Sequence, residues 1–183
     1  MGESDVHRAL AQLVERLAAL EIPYAIVGAM ALNAYGYQRT TVDVDVLLRP
    51  DGLEALKKAA LGRGYREKFP GSRGLRDTAH KVNIDVVLTG DYPGDGKEKP
   101  VAFPDPVEVA VRGDRVALVP LELLIELKIA SGMTAPHRLR DLADVIEVIR
   151  INQLPRSLEE SLHPYVREKY LELWQAAQQR DEE

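Results

Sequence analysis

The stretch Tyr24-Ala-Ile-Val-Gly-Ala-Met-Ala-Leu-Asn-Ala-Tyr-Gly-Tyr-Gln-Arg-Thr-Thr-Val-Asp-Val-Asp-Val-Leu-Leu48 decides the reading of this chain. Tyr24–Val27 is a short apolar strand, and Gly28 turns it into a helix of small residues, Ala29–Ala34, closed by Gly36. Thr41–Leu48 alternates and is rich in β-branched residues, so it is a second strand. Side chains alternate across a strand. Asp43 and Asp45 therefore share one face while Val42, Val44 and Val46 take the other.

Two carboxylates one strand repeat apart repel unless a cation lies between them. Val82–Leu88 repeats the pattern: Asp85 faces away from Ile84 and Val86. Were the two strands neighbours, three carboxylates would converge. Such a hard-oxygen site suits Mg²⁺ or Mn²⁺, ions that keep waters and recruit substrate phosphates. A single acid on a strand is ordinarily a solvated residue paired with a nearby cation. A DxD inside an apolar strand, echoed by a third Asp, favours the metal. Gly28, lacking a Cβ, lets a phosphate approach backbone amides at the turn into the helix, 15 residues before Asp43.

Working outward, residues 5–20 form an amphipathic helix, with Val6, Leu10, Leu13, Val14 and Leu17 on one face and Ser4 or Asp5 as cap. Asp51-Gly-Leu-Glu54 resembles a capping box that opens a helix to about Ala60, stopped by Gly62 and Gly64. Residues 89–100 are a turn-rich loop, and Val107–Val111 and Arg115–Leu118 pair as a hairpin around Arg112-Gly-Asp-Arg115. Beyond Pro120 the pattern is helical over 121–131, over 138–150 and from Ser157 to about Gln178, with a frayed tail at Arg180–Glu183. The expected fold is α+β: a small mixed β-sheet core over 1–118, flanked by helices, and a helical C-terminal region over 119–183 packed on it.

Composition narrows the function. The 183 residues are 45% hydrophobic and 29% charged, enough to bury a core, and the absence of cysteine excludes disulfides and zinc–thiolate sites. The first residues do not read as a secretory signal, and no apolar run is long enough to span a membrane, so a cytoplasmic protein without a membrane partner is expected. A net charge of −5 argues against a basic nucleic-acid grip over the whole surface. The region 57–81 is the exception: Lys57, Lys58, Arg63, Arg66, Lys68, Arg73, Arg76 and Lys81 outnumber Glu67 and Asp77 there and could face an RNA end.

Other motifs dissolve on inspection. Gly90 to Lys97 has the wrong spacing for a P-loop, and Arg112-Gly-Asp is better read as a turn. The histidines His7, His80, His137 and His163 lack metal-ligand spacing, although His80 and Lys81 precede the Asp85 strand and are candidates for phosphate contact. Lys128 reads on spacing as a solvated lysine. Arg138/Asp141 and Arg140/Asp144 stand at ordinary helix ion-pair spacings.

Val27-Gly28-Ala29, thirteen residues, then Asp43-Val-Asp-Val46, with Asp85 on a later strand, resembles the signature of the polymerase-beta-like nucleotidyltransferase superfamily. Leu127-Lys-Ile-Ala130 followed by Arg138-Leu-Arg-Asp-Leu-Ala-Asp-Val145 is similar to a stretch of the AbiEii-type nucleotidyltransferases, which include toxins of type IV toxin–antitoxin systems. The resemblance implies a Mg²⁺- or Mn²⁺-dependent enzyme moving a nucleoside monophosphate from an NTP to a hydroxyl on tRNA or other RNA, a protein or a small molecule. A cognate antitoxin would be a partner. It implies Asp43, Asp45 and Asp85 as catalytic metal ligands, Gly28 and Ala29 at the nucleotide, and Lys128 with Asp141, or else Asp144, in the active site; Thr41 and Arg39 are further candidates for the phosphates, Arg39 reading equally as a solvated loop residue. Ala29 replaces the family's usual Gly or Ser, which motivates an alternative: a degenerate module of the same fold that binds an NTP or a partner without turnover.

Overall fold

The computed structural model describes residues 4–179; the expected fraying of Arg180–Glu183 lies outside them. The chain forms two compact units. The first comprises residues up to Ala31, Arg39–Thr89 and Pro104–Val119; the second comprises Leu32–Gln38, Gly90–Phe103 and the residues from Pro120 onward.

The first unit holds the sheet. Ser4 caps helix α1 (Asp5–Ala19), its side chain accepting from the His7 amide, and Ala9, Leu10, Leu13 and Leu17 form its buried face. Strand β1 (Tyr24–Val27) runs into the short helix α2 (Gly28–Ala34), and strand β2 (Asp43–Leu48) follows. Helix α3 (Pro50–Ala60) starts at Pro50 without a side-chain cap, so the Asp51–Glu54 capping box does not form. Proline at the first helical position has no amide to satisfy and a φ already set for the helix.

Strands β3 (Tyr65–Glu67) and β4 (Leu75–Asp77) lie inside the basic region, where the sequence pattern shows no strand, and β5 is Asn83–Leu88. The expected strand at 107–111 is instead a helical turn, α4 (Pro106–Val109), capped by Asp105. A smaller hairpin survives as β6 (Val111–Arg112) and β7 (Ala117–Leu118).

The seven-stranded mixed sheet has the order β3-β4-β5-β2-β1-β7-β6. Its centre is β2, antiparallel to β1 and parallel to β5. Val44 and Val46 are buried on the face opposite the aspartates, and Leu47 and Leu48 are buried as well. Helix α1 packs on β2, so its leucines and the strand's valines share a core. Each such side chain contributes about 1.5–3 kcal/mol by leaving water, which holds the aspartate-bearing strand in place.

The second unit is built on three mutually packed helices, α5 (Leu121–Gly132), α6 (Leu139–Asn152) and α7 (Pro164–Gln178). The Tyr170 hydroxyl donates to Pro155 O at 2.9 Å and the Trp174 indole to Leu154 O at 3.0 Å, tying α7 to the chain leaving α6. Burial raises the Tyr170 hydroxyl to about 12, with the negative charge of Glu159 adding to the shift. Among the described residues no helix is long and apolar enough to cross a membrane.

Candidate functional site

The registers of β1, β2 and β5 place the three aspartates expected from the sequence on one face of the sheet. Asp45 pairs with Asp85 across the parallel strands, and Asp43 pairs with Asn83 one repeat earlier. Neighbouring strands lie about 4.8 Å apart and paired residues share a face, so Asp43, Asp45 and Asp85 stand on one side of the central strands. On the other side of β2, Val27 pairs with Asp45. That register brings the next residue, Gly28, directly against the Asp45 side chain.

Gly28 has φ +65°, and a Cβ placed on it would come 2.1 Å from Asp45 Oδ2 and 2.7 Å from its carboxyl carbon. The space that sequence reasoning left for an approaching phosphate is thus filled, on the Cβ side, by the second carboxylate of the DxD. Glycine is required here twice over, by the left-handed backbone and by the close approach. Ala29 is buried directly behind it. Thr41 shapes the entry to β2: its hydroxyl donates to Asp43 O at 2.9 Å and accepts from the Asp43 amide at 3.3 Å. Its hydroxyl is therefore engaged with the backbone that presents Asp43.

Lys68, a member of the basic run, lies just beyond β3. Its Nζ lies 2.6 Å from Asp85 Oδ1. Other members of that run also have internal partners: Lys57 binds Glu67 at 2.7 Å and Arg76 donates to Asn83 Oδ1 at 2.8 Å. His80 belongs to a different contact, with its ring Nδ1 2.9 Å from Asp77 Oδ2 and its amide donating to Asp77 Oδ1. Asp77 is fully buried, so His80 closes the β4–β5 turn.

The donor set of Asp43, Asp45 and Asp85 suits a hard divalent cation: three carboxylates on one face, two of them in direct cross-strand register. The side chains do not form a finished cage. Among the described residues no three acidic, histidine or cysteine groups gather around one point that would hold a metal ion, and Asp85 is turned to Lys68.

The second unit has a cluster of its own. Helix α5 is buried around much of its circumference, including Leu124, Ile125, Leu127, Ile129 and Ala130, and Lys128 is buried among them at 8% exposure. Its Nζ donates to Asp141 Oδ1 and to Asp144 Oδ2, both at 2.8 Å, and the Ser131 hydroxyl donates to Asp141 Oδ2 at 2.6 Å. Lys128 is therefore no solvated lysine. Both Asp141 and Asp144 take the Lys128 ammonium, and Arg138, whose charge also acts on Asp141, donates to Gly94 O at 3.1 Å. Burial pushes the Asp141 carboxyl up, but the Lys128 charge and the hydrogen bonds from Lys128 and Ser131 outweigh it, leaving the group below the usual carboxylate range.

This architecture is the nucleotidyltransferase-like fold. An antigenic nucleotidyltransferase-like protein from Paracoccidioides brasiliensis matches with a TM-score of 0.54 at 17% identity, over 94% of this chain and 92% of that one. The antibiotic-resistance factor ANT(2'')-Ia matches in its solution structure with a TM-score of 0.54 at 14% identity, over 92% and 97% of the two chains. Its crystal structure with adenylyl-2"-tobramycin gives 0.51 at 15%, over 92% and 98%. No protein-family model and no curated protein matches the sequence. At these identities the likeness is one of fold.

Proposed function

We propose that the chain is a divalent-cation-dependent nucleotidyltransferase that moves a nucleoside monophosphate from an NTP to an acceptor hydroxyl. The observation that carries this reading is the register of Asp45 against Asp85 with Gly28 packed on the Asp45 carboxylate. The fold neighbours support it. Asp43, Asp45 and Asp85 are the residues that would hold Mg²⁺ or Mn²⁺. A bound ion supplies Lewis acidity at the phosphoryl oxygens and makes a nearby hydroxyl more acidic. The chain's own part is positional: β2 and β5 fix the carboxylates, Thr41 orders the backbone that presents Asp43, and Asp85 would take the acceptor proton. In the transfer the acceptor oxygen bonds to the α-phosphorus, the bond to pyrophosphate breaks, and the acceptor proton passes to a carboxylate.

The proposed nucleotide contacts are Gly28, Ala29, Arg39 and Thr41. Lys128 and Asp141 enter through the family resemblance; within the second unit they form a buried ion network with Asp144. One fold neighbour was solved with adenylyl-2"-tobramycin, so a small polyol acceptor joins an RNA end and a protein hydroxyl as the acceptor classes. A cytoplasmic enzyme, with a toxin role and an antitoxin partner, completes the proposal on the same resemblance.

Incubation with each of four labelled NTPs, Mg²⁺ and a mixture of tRNA, protein and aminoglycoside acceptors tests it. Label should transfer from at least one NTP, and Asp45→Asn should lower the rate about a thousandfold or more, as expected when several kcal/mol of transition-state stabilisation are lost. The variant's melting temperature should stay near that of the parent. Equal rates in parent and variant would overturn the reading. The second reading, an NTP-binding module without turnover, is favoured by Ala29 and by the Lys68 ammonium on Asp85. Calorimetric binding of Mg²⁺–NTP with no pyrophosphate released for any acceptor would select it.

A further inference from the structure

Lys68 reaches Asp85 because of what surrounds it. Its amide donates to Gly74 O at 3.1 Å, closing the turn between β3 and β4. Its stem lies on Gly74, where a Cβ would come 2.6 Å from Lys68 Cδ and 3.3 Å from Ile84 O. The absent side chain at position 74 lets the lysine lie along β5 and set its Nζ 2.6 Å from Asp85 Oδ1. The pair is neither buried nor free: the two side chains keep 31% and 40% of their exposure.

We infer that Lys68 is an exchangeable counter-ion of the carboxylate cluster, holding Asp85 while no metal is bound and yielding it to a divalent cation. This inference rests on the nucleotidyltransferase reading. Asp45 and Asp85 stand in direct cross-strand register, and like charges so placed repel. The Lys68 ammonium offsets part of the charge at Asp85. A partly exposed ion pair holds weakly, and lysine is a compact charge on a flexible stem, not the planar fork with which arginine grips a carboxylate. A divalent cation therefore displaces it. The displaced ammonium stays on the β3–β4 turn, where phosphates carried in with the metal are its natural partners.

The two roles move two affinities in opposite directions, which simple loss of structure cannot do. In Lys68→Met, calorimetry should show Mn²⁺ binding roughly three- to tenfold tighter than in the parent, the worth of a partly exposed pair that no longer competes. Binding of the Mg²⁺–NTP complex to the same variant should weaken relative to free Mn²⁺. Lys68→Arg should bind Mn²⁺ no more tightly than the parent, because it keeps a competing cation. Should Lys68→Met fail to fold, Lys68→Gln removes the same charge with a polar side chain.

An uncharged variant whose Mn²⁺ affinity is unchanged or weaker overturns the inference. If the parent binds Mn²⁺ in a manner abolished by Asp45→Asn, the nucleotidyltransferase reading survives that failure. Mn²⁺ binding that ignores Asp45→Asn, or no Mn²⁺ binding by the parent and the uncharged variant alike, overturns both. Binding by the uncharged variant alone supports the inference in its strongest form.

Discussion

Each unit sets a lysine against aspartates, and the two settings differ in how far water reaches them. Lys68 meets Asp85 at 2.6 Å with both side chains about a third exposed. Lys128 meets Asp141 and Asp144 at 2.8 Å each, with the Lys128 and Asp144 side chains at 10% and 2% exposure. The first ammonium has one carboxylate and solvent around it. The second shares itself between two carboxylates, one of which also accepts from Ser131. Water lowers the worth of the first contact and leaves the pair able to exchange partners, whereas a buried pair is costly to break because the remaining charge has nowhere to go. One arrangement can trade its cation, and the other fixes a fold.

The sharpest way to break that contrast is to remove the buried cation. Lys128→Met keeps the apolar stem of the side chain but removes the ammonium that donates to both α6 carboxylates, Asp141 and Asp144. Stability should drop by about 3–5 kcal/mol, the usual result of breaking one side of a buried pair, with a correspondingly large fall in denaturant midpoint. Lys68→Met, tested in the same denaturant series, should change stability by about 1 kcal/mol or less. Equal losses in the two variants would erase the distinction between them.

Gly28→Ala probes the exposed cluster from its other side. The alanine must adopt φ +65° and push its Cβ into the space of Asp45 Oδ2. Left-handed backbone costs about 1 kcal/mol for a non-glycine residue, so the loss of stability should be modest beside that of Lys128→Met. The displaced carboxylate should cost nucleotidyl transfer far more, on the order of a hundredfold, since misplacing a reacting group by about 1 Å can cost that much. A variant that keeps its transfer rate while losing stability would remove Asp45 from the chemistry.

Much of this was legible in the sequence where local pattern and tertiary setting agree. The alternation in Thr41–Leu48 and Val82–Leu88 marks β2 and β5 because half of each strand faces a core, and Ser4 marks the start of α1 because its oxygen satisfies a free amide. The direct register of Asp45 with Asp85 needed the sheet itself. Strands β3 and β4 are three residues each, Tyr65–Glu67 and Leu75–Asp77, and their charged residues hide any period; pairing with each other, and of β4 with β5, makes them strands. Lys68 was invisible as a site residue for the same reason, because its reach depends on that pairing and on Gly74. The burial of Lys128 has a signal in the sequence. The run Leu121-Glu-Leu-Leu-Ile-Glu-Leu-Lys-Ile-Ala130 is apolar around most of the helix, so a lysine inside it is buried and must find partners.

The smallest test concerns Ser131. Its hydroxyl donates to the Asp141 oxygen that Lys128 does not take, so Ser131→Ala removes one charge-assisted bond and leaves the ion pair standing. The cost should be about 1–2 kcal/mol near neutral pH. Its pH dependence follows from the sign of the Asp141 shift. The folded carboxyl lies below its ordinary value of 3.8, so the unfolded chain binds the proton more readily. The stability that Asp141 contributes is therefore full above the unfolded value and fades as pH falls through the lowered folded one. Ser131→Ala weakens one of the groups that hold the carboxyl down. Below about pH 4, the stability curves of parent and variant should then converge, while near pH 7 they stay apart. A gap that persists unchanged into acid would mean that Ser131 contributes packing alone and that the Lys128 network does not depend on its hydroxyl.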